Sequence, residues 1–179
     1  MNFRGVKLPM VLIIAVVTLA VFLGGQMAIA AVTIDRPLLK LLEGRTELTG
    51  FEIDKHAQPL RITVGLKPDA DLKTVYGSLD KELTTLLGRN EYVVKVTDNR
   101  DETLRTALYD MHYAIREGLT RGNFTEMSAE IEKIAAAKGI DSHALWVDDQ
   151  RLYLQLRHGD SALFEIYERT PQATSKLAG

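Results

Sequence analysis

The sequence predicts an α+β fold led by one N-terminal transmembrane helix. Two observations carry this. The chain has 179 residues, and its first basic residues are followed by a long charge-free apolar run. Beyond that run, helical and strand-like apolar periods follow one another in blocks short enough for a single ordinary domain or two small ones.

Leu8 to Ile34 contains no formal charge, and Met10 to Leu23 reads MVLIIAVVTLAVFL. About 20 such residues cross a hydrocarbon core of roughly 30 Å as a helix. Arg4 and Lys7 precede the run, whereas Asp35 and Arg36 cancel just after it. The positive-inside rule then expects residues 1–7 in the cytoplasm and the body outside, with residues 8–34 in the lipid bilayer as a signal-anchor. A cleaved signal peptide is the alternative, since Ala28-Ile29-Ala30 has a small-x-small form; cleavage after Ala30 would give a secreted protein.

Residues 35–98 read as an α-β-β-α-β module. Asp35 and Pro37 open a short helix with Leu38, Leu41 and Leu42 on one face, and Gly44 stops it. Thr49 to Ile53 and Leu60 to Leu66 read as strands; in the second, Leu60, Ile62, Val64 and Leu66 alternate with polar or small residues. Asp69 or Asp71 starts a helix that runs to Leu87 and Gly88, with Leu72, Val75, Tyr76, Leu79 and Leu83 in helical period. Tyr92, Val94 and Val96 make a third strand.

Residues 99–170 read as an α-α-β-β-β module. Leu104, Leu108, Met111, Ile115 and Leu119 define one amphipathic helix, which Gly122 interrupts. Asn123 and Glu126 resemble a capping box for the next helix, whose stripe is Phe124, Met127, Ile131 and Ile134. Strands over 143–147, 151–157 and 161–169 then form a meander. A three-residue loop, His158-Gly159-Asp160, is expected between the last two, because a two-residue loop would set Leu154 opposite Glu165. Residues 171–179 are expected to be a flexible tail.

Chemistry is sparsely signalled. With no cysteine, thiolate metal sites and cysteine nucleophiles are excluded. His56, His112, His143 and His158 show no helical metal-pair spacing, and neither GxSxG, Walker A nor GxGxxG occurs. No catalytic, cofactor or metal residue is therefore assigned. The net charge of −2 gives no basic field for nucleic acid, so no nucleic-acid partner is expected.

One face of the meander stands out as a possible interaction surface: Trp146, Tyr153, Leu163 and Tyr167. The leading expectation is a non-catalytic envelope or assembly component at the plasma membrane, acting on an unknown protein partner or as a homo-oligomer. A ligand-sensing domain with a pocket lined by Tyr109, Tyr113, Trp146 and Tyr153 is the alternative, and an envelope hydrolase a more distant one.

Overall fold

The computed structural model describes residues 35–88 and 91–169, together with Ala15, Val16, Thr18 and Leu19. The elements are α1 (Arg36–Glu43), β1 (Leu48–Asp54), β2 (Leu60–Leu66), α2 (Leu72–Leu87), β3 (Tyr92–Thr97), α3 (Glu102–Arg121), α4 (Phe124–Ala137), β4 (Ser142–Val147), β5 (Arg151–His158) and β6 (Ser161–Glu168). They make an α+β architecture with two three-stranded sheets.

The transmembrane helix expected over residues 8–34 is not found among the described residues. Among the described residues no helix is long and apolar enough to cross a membrane. The longest, α3, has 20 residues but carries Arg105, Asp110, Arg116 and Glu117 and buries only one stripe, as a helix packed on one side by protein does. Most of 8–34 lies outside the described residues, as do residues 1–7, expected in the cytoplasm, the alternative cleavage position after Ala30 and the expected tail 171–179.

In the first sheet, ordered β1-β2-β3, β1 runs antiparallel to β2 and β3 runs parallel to it. The parallel return needs a crossover, which α2 supplies. Asp71 caps α2 by accepting the Thr74 amide at 2.6 Å, and Gly88 ends it at φ 61°. One face of this sheet carries Ile62 and Val64, both fully buried under Leu38 and Leu42 of α1 and Leu79, Leu83 and Leu87 of α2. The opposite face shows Glu52, Arg61 and Lys95 to solvent. Asp35 does not cap α1 through its side chain; it pairs with Lys55 at 2.7 Å.

The second sheet, β4-β5-β6, is fully antiparallel. Helices α3 and α4 lie on one face of it. Their Leu104, Met111, Ile115, Met127 and Ile131 share a core with Leu152, Leu154, Leu156 and Leu163. The two helices approach closely at Gly118, where an added Cβ would stand 2.9 Å from the Met127 Cβ. Asp101 caps α3 by accepting the Leu104 amide at 2.8 Å. The capping box expected at Asn123 does not form, because its side-chain nitrogen donates instead to the Glu126 carboxylate.

The β5–β6 register differs from the expected one. The hairpin closes on His158 opposite Ser161, so the loop is only Gly159-Asp160, and Leu154 does stand opposite Glu165. Gly159 adopts φ 56°, the positive value that a tight hairpin turn needs at its first central position. Glu165 is accommodated because Arg100 pairs with it at 2.8 Å, leaving no lone carboxylate at the edge of the core.

Candidate functional site

That register splits the expected aromatic face. Tyr153, 3 % exposed, and the half-buried Trp146 point toward α2 and pack with Tyr76, Ala162 and Phe164. Leu163, fully buried, and the half-buried Tyr167 point the other way, into the core beneath α3 and α4. Burial pushes the Tyr167 phenol up to about 12. The four residues therefore serve two separate cores. Tyr109 and Tyr113 lie on the outer side of α3 and do not join Trp146 or Tyr153 in a pocket. His143 and His158 do not meet Asp148 or Asp149, and among the described residues no group of three acidic or histidine side chains could hold a metal ion. His158 instead bonds Asp101 at 2.6 Å.

The second face of the β4-β5-β6 sheet is the junction between the two halves of the chain. Gln155 makes a two-point attachment to the start of α2: its carbonyl accepts the Leu72 amide at 3.1 Å and its nitrogen donates to the Ala70 carbonyl at 2.9 Å. The Tyr76 and Tyr153 rings meet edge-on at 6.0 Å. The connector between the halves is tied down as well. Asp98 accepts the Phe164 amide at 2.8 Å, and Asn99 accepts the Ala162 amide at 2.9 Å. These side chains occupy donors on the outer edge of β6, an edge that would otherwise be open to another strand.

Beside this junction a cleft of about 340 Å³ opens between α2, β3 and the ends of β5 and β6. Asp80 is its hub. One carboxylate oxygen accepts the Tyr92 hydroxyl at 2.8 Å, and the other pairs with Arg151 at 2.8 Å. The Arg151 guanidinium also lies 5.0 Å over the Tyr76 ring. Thr84 and the Tyr92 hydroxyl are 2.8 Å apart. Residue spacing could not reveal this cluster, since Asp80 and Arg151 are 71 positions apart.

The second exposed feature is the outer face of α3. Tyr109 is 73 % exposed and Tyr113 77 %. They sit one turn apart, with His112 packed edge-on against Tyr113 at 5.8 Å. Arg105 and Arg116 extend the same exposed face in both directions. The signal was visible in the sequence as two tyrosines four apart on the polar side of a well-defined amphipathic helix. No protein-family model matches the chain, and neither a curated protein nor a solved structure matches it.

Proposed function

We propose that the chain is a non-catalytic interaction protein that presents the outer face of α3 to a protein partner. The observation that carries this is the exposure of Tyr109 and Tyr113 on a helix whose other side is fully committed to the core. Tyrosine and arginine are the side chains that most often supply binding energy at interfaces, because they offer large rigid area together with polar contacts. Arg116 and His112 beside the pair favour a partner segment bearing carboxylates, whereas Arg105 is already paired with Glu102 at 3.4 Å.

A photo-crosslinking residue placed at position 109 or 113 of the full-length chain tests the reading in cells. A discrete protein adduct is expected, and Arg116→Glu is expected to reduce its yield several-fold. An adduct only to a second copy of the chain would identify a homo-oligomer as the partner. Absence of protein adducts at both positions, or an adduct indifferent to Arg116→Glu, overturns the reading.

A further inference from the structure

The cleft at Asp80 has a feature that its internal hydrogen bonds do not use up. Asp80, Tyr92, Thr84 and Arg151 satisfy one another and form a fixed frame. Tyr76 and Glu168, which line the same cleft, are different. Tyr76 is 8 % exposed, and its hydroxyl makes no hydrogen bond among the described residues. The ring is buried, while the hydroxyl keeps contact with solvent in the cleft and is free to take a ligand. Burial pushes its phenol up to about 12, so at neutral pH it is uncharged and can both donate and accept.

Glu168, exposed at the mouth of the cleft, stands across the strands from Arg151 yet makes no ion pair among the described residues, because Arg151 turns to Asp80 and the Tyr76 ring instead. Asp80 and Arg151 cancel in charge, and Glu168 leaves the cleft with an excess of one negative charge. Val94 and the exposed Val93 give it an apolar wall on the β3 side. The volume lies at the small end of the range for small-molecule sites, and the junction of two substructures is where such sites concentrate.

We infer that this cleft binds a small organic amine, its ammonium group held between the Glu168 carboxylate and the Tyr76 hydroxyl and its apolar body against Val93 and Val94. An ammonium donates to both oxygens and supplies the charge that the cleft lacks. A carboxylate or phosphate ligand would instead meet Glu168 and Asp80, and Arg151 is already engaged. The site is separate from the α3 face and does not depend on it.

Three probes of nearly one shape test this by calorimetric titration of the full-length chain: phenethylamine, 2-phenylethanol and phenylacetate. The amine is expected to bind roughly tenfold or more tighter than the alcohol, the difference a charge-assisted hydrogen bond makes, and phenylacetate is expected not to bind. Glu168→Gln should reduce the amine to the affinity of the alcohol, and Tyr76→Phe, which keeps the ring beneath Arg151, should weaken it several-fold. Tyr109→Ala with Tyr113→Ala should leave it unchanged, which separates this site from the proposed partner surface. Equal binding of amine and alcohol, amine binding that survives Glu168→Gln, or no amine binding at millimolar concentration overturns the inference.

Discussion

The two sheets differ in how many of their faces are dry, and that difference governs what their sequences reveal. In β2, residues from Ile62 to Leu66 alternate between buried and partly exposed, because α1 and α2 cover one face and solvent the other. In β5 and β6, three consecutive residues are buried, Leu152–Leu154 and Ala162–Phe164. Helices α3 and α4 cover one face there and α2 covers the other. A period of two marks a face only where the opposite face is wet. A strand buried on both sides loses that mark, and with it the constraint on register.

The comparison predicts a large asymmetry in mutational cost. Leu154→Ala, at a fully buried site in the second sheet, should destabilise the fold by about 2–5 kcal/mol. Thr63→Ala, on the solvent side of the first sheet, should fall within about 0.5 kcal/mol of the parent. Urea unfolding midpoints of the two variants check this, and similar losses would mean that the core between the meander and α3 and α4 is not closed.

A smaller effect concerns what holds the opposite, α2-facing side of the meander shut. Gln155→Leu keeps the approximate volume but leaves the Leu72 amide and Ala70 carbonyl without their side-chain partner. A loss of about 1–3 kcal/mol follows for such abandoned groups. Amide exchange at Leu72 should accelerate with it; unchanged exchange would show that the start of α2 is held by packing alone.

The smallest effect is a dependence on pH at the rim, where His158 joins the end of the β5–β6 hairpin to the cap of α3. The hydrogen bond to Asp101 raises the His158 imidazole above its ordinary 6.5. The same bond, with the Leu104 amide, lowers Asp101 below its ordinary 3.8. A raised histidine gives stability that is complete below 6.5 and is lost as pH climbs through the folded value. A lowered carboxylate gives stability that is complete above 3.8 and is lost as pH falls through its folded value. Thermal midpoints across the neutral range should decline toward high pH, and Asp101→Asn, which retains a capping side chain, should flatten that decline. An identical slope in the variant would remove the pair from the account.

Element order after residue 35 could be read from local signals because those signals are strong: Asp71 and Gly88 bracket α2, and Asp101 and Gly122 bracket α3. The apolar run at 8–34 suggested a membrane helix by composition; most of it lies outside the described residues, among which no helix is long and apolar enough to span a membrane. The hairpin shows a conflict between two local rules. Gly159-Asp160 is a good two-residue turn, but parity appeared to forbid Leu154 opposite Glu165. Parity treated Glu165 as alone, and the residue that resolves its charge, Arg100, lies 65 positions away. The same distance problem hid the cleft: Asp80, Tyr92 and Arg151 come from three elements, and each taken alone reads as an ordinary surface residue.

The attachment of Gln155 to Leu72 spans 83 positions, and that of Asp98 to Phe164 spans 66. Loop closure over such separations comes late in folding, after local helices have formed. During synthesis, α2 therefore emerges with one side already matched to β2 and the other, around Leu72 and Tyr76, still bare until β5 and β6 have left the ribosome. A chain cut short before residue 150 would keep that greasy flank uncovered and invite association with whatever lies nearby. The last two strands thus act as the cover for the earlier half, and loss of the C-terminal hairpin would cost solubility before it cost the first sheet its shape.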